Sequence, residues 1–205
     1  MKINYTFIAL FLFMPVLLGC NQKQEVQTET TQTITDKKIV EAVVIQQQSE
    51  SDTLKGSLKA LVTGKIGNTV VTINYYSPAV RGRVIWGGLV PMDQVWVTGA
   101  HKATSVEFEG AIKIGDVEIP GGKYGLFTIP SKDEWTIIIN ENWEQHLTDE
   151  YDQKDDLARI KVKPEIEGAN QERLRYLIET AENKKGEIAI YWEKLEVTLP
   201  ITAVN

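Results

Sequence analysis

The stretch EIAIYWEKLEVTLPIT, residues 187–202, decides the fold class. Ile188, Ile190 and Trp192 recur at every second position, and Val197, Leu199 and Ile201 alternate with Glu196, Thr198 and Pro200. A period of two marks a half-buried β-strand, because successive side chains leave a strand on opposite faces. The same rule extends outward through the chain. Val71, Ile73 and Tyr75 alternate with Thr72 and Asn74; Thr104, Val106 and Phe108 with Ser105 and Glu107; Trp135, Ile137 and Ile139 follow suit. Gly67-Asn68, Glu109-Gly110, Gly115-Asp116, Pro120-Gly121-Gly122, Ser131-Lys132-Asp133 and residues 183–186 (NKKG) punctuate these runs with residues that tolerate tight turns. Residues 112–119 (IKIGDVEI) form a short hairpin about Gly115-Asp116. Residues 171–183 fit two periods: Leu174, Leu177, Ile178 and Ala181 at helical spacing, or Leu174, Tyr176 and Ile178 against Arg173, Arg175 and Glu179 at strand spacing. A turn and a clear strand follow directly, which favours strand. About ten strands without a strong helix predict an all-β domain over residues 56–205, an antiparallel β-sandwich or jelly-roll-like barrel.

The chain has 205 residues, 42% apolar and 24% charged, with 22 basic and 28 acidic side chains for a net charge of −6. This suits one globular domain with an extension. An acidic balance with no Lys/Arg cluster argues against a nucleic-acid partner, since phosphates demand a basic face. One Cys excludes a disulfide framework, and two His leave little for a metal centre.

The first twenty residues, MKINYTFIALFLFMPVLLGC, carry Lys2 and then an apolar run from Tyr5 to Leu18 too short to span a bilayer comfortably. Leu17-Leu18-Gly19-Cys20 resembles the bacterial lipoprotein signal, in which residues 1–19 are removed and the Cys is acylated, for example with palmitate. The resemblance implies lipidation at Cys20, a membrane partner through that lipid, and a place in the bacterial cell envelope at the outer membrane. Several acyl chains would hold firmly where one would not. Residues 21–35 contain four Gln and five Thr, with only Val26 and Ile34 as large apolar side chains. Such a segment cannot offset its ordering entropy by burial, so residues 20–55 are expected to be the lipidated Cys and a flexible stalk.

Residues 75–104 (YYSPAVRGRVIWGGLVPMDQVWVTGAHKAT) and 119–140 (IPGGKYGLFTIPSKDEWTIIIN) resemble the bacterial family catalogued as the domain of unknown function numbered 2911, as do Tyr151–Val162 with Asp155 and Arg159, and the C-terminal IYWEKLEVTLPI. The resemblance covers most of residues 56–202. It implies a secreted or lipid-anchored bacterial protein and no agreed activity. Members more often carry Arg where this chain has Val97 and Asn where it has His101.

The segment from Tyr75 to Thr104 is the chemically richest. Arg81, Arg83, Trp86, Trp96, Thr98, His101, Lys102 and Thr104 gather around Gly82, Gly87, Gly88 and Gly99. Binding residues concentrate on such loops; Arg clamps carboxylates and Trp stacks on sugar rings. These eight are the ligand-binding candidates, for a small polar or carbohydrate ligand. No G-x-S-x-G, H-E-x-x-H or phosphate-loop motif occurs, and no cofactor or metal is expected. Asp149, Glu150, Asp152, Asp155 and Asp156 lack the spacing of a calcium loop and suit a solvated acidic loop. Two classes stay open: a binding or structural module of the envelope, and a hydrolase or lyase of envelope glycans, which would need two carboxyls facing each other across about 5–9 Å.

Overall fold

The computed structural model describes the backbone of Thr30–Thr31 and residues 42–204; Cys20 and residues 1–19 lie outside the described residues. The strands are β1 (Thr30–Thr31), β2 (Ala42–Val43), β3 (Leu58–Ile66), β4 (Thr69–Ser77), β5 (Thr104–Phe108), β6 (Ile112–Ile114), β7 (Val117–Ile119), β8 (Gly122–Ile129), β9 (Trp135–Asn140), β10 (Asp156–Val162), β11 (Glu165–Thr180) and β12 (Lys185–Ala203), with one 3-10 turn at Gln153–Asp155. They form an eight-stranded sheet in the order β1-β2-β3-β4-β5-β8-β9-β10 and a four-stranded sheet in the order β11-β12-β6-β7. The two sheets stay open and separate, so the fold is the sandwich rather than the barrel. Every neighbouring pair is antiparallel except β2 with β3.

The alternation in β4 is realised residue by residue, each odd-numbered position from Thr69 to Ser77 being buried. The hairpin at Ile112–Ile119 pairs Ile112 with Ile119 and Ile114 with Val117, and Gly115 takes the left-handed φ of 58° that the turn requires. Residues 171–180 are strand, as favoured from the spacing. Between the sheets, Ile73, Val106, Leu126 and Ile137 meet Leu174, Tyr176, Ile190, Trp192 and Leu199. Each large apolar side chain enclosed in this way contributes about 1.5–3 kcal/mol.

Two departures from simple alternation shape the molecule. All six residues of β9 are buried. Ile138 and Phe127 leave the opposite face of the large sheet from Ile137 and Leu126, and there they pack with Val97 and Ala103 beneath the chain at 95–103. The second departure is in β11. Its pairing with β12 breaks between Ile166 and Gln171, and again between Gln171 and Arg175. In the gap Arg173 bridges Ala79, while Val80 N donates to Glu172 O (2.8 Å) and Leu174 N to Pro78 O (2.9 Å), so β11 also pairs with the segment that follows β4.

Within residues 42–54, which fall in the expected stalk, a few residues touch the sandwich. Ala42 and Ile45 are buried, Val43 pairs with Ala60, and Glu172 N donates to Gln48 O (2.7 Å). Composition hid this because the segment is held by a few specific contacts instead of a continuous apolar face.

Candidate functional site

Residues 78–103 leave the large sheet after β4 and return at β5. Arg81, Asp93, Thr98 and His101 all have positive φ there, at 49°, 59°, 49° and 62°. A tight double turn at 84–90 is closed by Leu89 N to Val84 O (3.0 Å) and Val90 N to Ile85 O (2.9 Å). At Gly88 a Cβ would stand 2.4 Å from Val84 O, so only glycine fits that approach.

The eight candidates fall into three neighbourhoods. Arg81 and Arg83 brace backbone near the β11 crossing. The Arg81 guanidinium donates to Leu54 O and its N–H to Glu172 Oε1 (2.8 Å), while Arg83 donates to Val80 O (3.1 Å) and Ala79 O. Trp86 and Trp96 belong to an aromatic group with Trp135 and Trp192. Trp86 is edge-on to the other three at 4.9–5.9 Å between centroids, and Trp96 stacks on Trp192 at 5.7 Å. Trp96 Nε1 donates to Gly99 O (3.1 Å), whereas Trp86 Nε1 and Trp192 Nε1 are buried without a hydrogen-bond partner.

Thr98 and Thr104 are fully buried beside this group. A β-branched residue at φ 49° is strained and persists only where its surroundings over-determine it. Thr98 meets that condition: its hydroxyl donates to Trp96 O (3.2 Å) and meets Thr128 Oγ1 (3.0 Å), while its carbonyl accepts from Thr104 Oγ1 (3.0 Å) and Tyr176 Oη (2.7 Å). His101 and Lys102 form the third neighbourhood, both exposed. His101 stands edge-on to Tyr76 at 5.1 Å, its carbonyl accepts from Leu147 N (2.7 Å), and Lys102 bridges His146. The left-handed backbone at His101 is one at which His and Asn are both enriched.

Sequence reasoning missed two polar centres. Arg173, expected to face outward in its strand, is 1% exposed and bonded through every guanidinium N–H: to Asp52 Oδ2 (2.5 Å) and Oδ1 (2.9 Å), Leu54 O (2.9 Å), Gly56 O (3.2 Å) and Ser77 O (3.1 Å). The Arg173 guanidinium holds the Asp52 carboxyl below the usual carboxylate range against the upward pull of burial. The second centre is Asp156, drawn out of the acidic loop. It accepts from Asn140 Nδ2 (2.8 Å), Tyr151 Oη (2.8 Å) and Arg159 (2.6 Å). Burial first, then Asp156, pushes the Tyr151 phenol up to about 12. Asp152 instead pairs with Lys154 (2.7 Å).

Two clefts open on either side of Leu195. One, of about 260 Å³, is lined by Trp86, Met92, Lys132, Trp135, Ile166 and Leu195 among others; the second, of about 270 Å³, by Gln47, Asn170, Arg175, Leu177, Tyr191 and Glu193 among others. Among the described residues, the first has no carboxylate in its wall and the second has Glu193 alone.

Residues 57–201 match the family model described as "Protein of unknown function (DUF2911)". No curated protein and no solved structure matches the chain. The match spans the sandwich from the start of β3 into the end of β12, so the chain belongs to the DUF2911 family, whose function is unknown.

Proposed function

We propose that the protein is a lipid-anchored binding module of the bacterial cell envelope, whose sandwich takes a small polar or sugar-like ligand against Trp86. The cleft at Trp86 and Trp135 carries this reading. Its volume of about 260 Å³ suits one ring rather than a long chain, and ligand clefts are mostly apolar with a few placed polar groups. Trp86 brings a partly exposed ring, Lys132 brings a cation, and Ile166, 83% exposed, extends the apolar mouth. The tether rests on Leu17-Leu18-Gly19-Cys20.

Thermal unfolding against a panel of monosaccharides and small polyols tests the site. At least one member is expected to raise the melting temperature of the parent, with the rise reduced in Lys132→Ala and Trp86→Phe. A panel that leaves the melting temperature and tryptophan emission unmoved overturns the ligand reading. Fractionation tests the tether: Cys20→Ser is expected to leave the membrane fraction, and a variant that fractionates and is processed like the parent refutes it.

A further inference from the structure

Four of the chain's five arginines spend their guanidinium on protein acceptors: Arg81 and Arg83 on carbonyls, Arg159 on Asp156, and Arg173 on Asp52 and three carbonyls. Arg175 is the exception. Among the described residues it has no ion pair and no hydrogen bond to its guanidinium; its Nε is buried without a partner, and the guanidinium lies over the ring of Tyr191, 5.8 Å from the centroid. A desolvated N–H without an acceptor is costly and uncommon in native proteins.

The surroundings show where an acceptor would come from. Arg175 stands where β11 rejoins β12 after its two breaks, and the cleft of about 270 Å³ lies over this irregular stretch, lined from both strands. Bulges of this kind re-aim side chains and recur beside functional sites. Opposite, Glu193 sits at φ 56°, an uncommon conformation for a residue within a strand. Asn170 and Gln47 line the cleft as amides, and Leu177 and Leu195 give it an apolar wall. A forked cation in such a cleft matches the geometry of a carboxylate, which takes two parallel N–H bonds. A single Arg beside Glu193 suits a monoanion better than a multiply charged group, and Glu193 can accept from a hydroxyl or amide N–H of the same molecule.

We propose that Arg175 anchors the carboxylate of a small acidic ligand in this cleft, a second site independent of the one at Trp86. Such a carboxylate has two sources, an acidic sugar or an acylated amino acid. The test follows the Arg175 Nε–Hε resonance in the full chain, identified by its loss in Arg175→Lys, while D-glucuronate, N-acetylglycine, D-glucose and inorganic phosphate are titrated separately. At least one carboxylate is expected to shift the resonance saturably and glucose to leave it in place; which carboxylate does so names the source. Arg175→Lys, which keeps the charge and loses the fork, is expected to weaken that binding by about tenfold or more. No shift with either carboxylate at millimolar concentration overturns the proposal. So does a shift with phosphate alone or with glucose, or undiminished binding in Arg175→Lys. Should the variant not fold, the parent resonance, assigned through the backbone, decides alone. The readout is local to Arg175, so its outcome is separate from that of the Trp86 cleft.

Discussion

Arg173 and Asp52 lie 121 positions apart in sequence and form a two-bond pair, Nε to Oδ2 and Nη2 to Oδ1, with the arginine 1% and the aspartate 8% exposed at the side chain. Removing one partner of a buried pair strands the other charge, which is worse than removing both. Asp52→Ala is therefore expected to cost about 3–5 kcal/mol in urea unfolding at neutral pH, and the double change Asp52→Leu with Arg173→Met less than the sum of the singles. Additive singles would mean that the pair is not coupled.

The same pair gives an acid-side dependence. The folded carboxyl of Asp52 lies below its ordinary value of 3.8, so the folded state binds that proton less readily than the unfolded state. Its stabilisation is complete above about pH 4 and is lost as pH falls through the depressed folded value. Unfolding free energies of parent and Asp52→Asn should converge in that window and run parallel above it.

A chain beginning at residue 56 loses Asp52, Ile45 and the Gln48 carbonyl that Glu172 N uses. It is expected to be less stable than one beginning at residue 42 by about 3–5 kcal/mol, as for any buried charge left unpaired. Equal midpoints and slopes in denaturant for the two chains would show that residues 42–55 add nothing.

At His101 the backbone, rather than the imidazole, sets the requirement. His101→Asn should be neutral within about 0.5 kcal/mol, and His101→Val should cost about 1–2 kcal/mol, because a β-branched residue resists φ near 62°. A Val variant as stable as the parent would refute this.

Tyr151 supplies the alkaline counterpart. A phenol raised to about 12 when folded and near 10 when unfolded contributes stability that is whole below pH 10 and lost as pH rises toward 12. Tyr151→Phe should flatten that part of the stability profile, as read by denaturant titration at successive pH values.

The strand pattern and the hairpin at Ile112–Ile119 were legible because period and turn chemistry act within a few residues. Arg173 was not, because an alternating strand puts it on the polar side, and only the break in the pairing of β11, where Arg173 bridges Ala79, encloses it. The burial of Ile138 and Phe127 was hidden for a like reason: the chain that covers them arrives from 95–103. In the loop, residue type set Trp86 and Thr98 side by side as binding candidates and could not show that Trp86 lines a cleft while Thr98 holds a strained turn. Arg175 was marked only as an outward strand position; its lack of an acceptor among the described residues is visible only once every other arginine has been placed.

The division of strands between sheets also sets an order in time. The four-stranded sheet takes β6 and β7 from the middle of the chain and β11 and β12 from its end. A ribosome delivers the strands of the large sheet first, with the inward faces of Ile73, Val106, Leu126 and Ile137 complete while only the short β6 and β7 of the facing sheet have been made. Until the last two strands emerge, that surface stands open to any other sticky chain nearby, and such non-local β topologies close slowly. A polypeptide with this layout is therefore exposed to mispairing during its synthesis, until the final strand is in place.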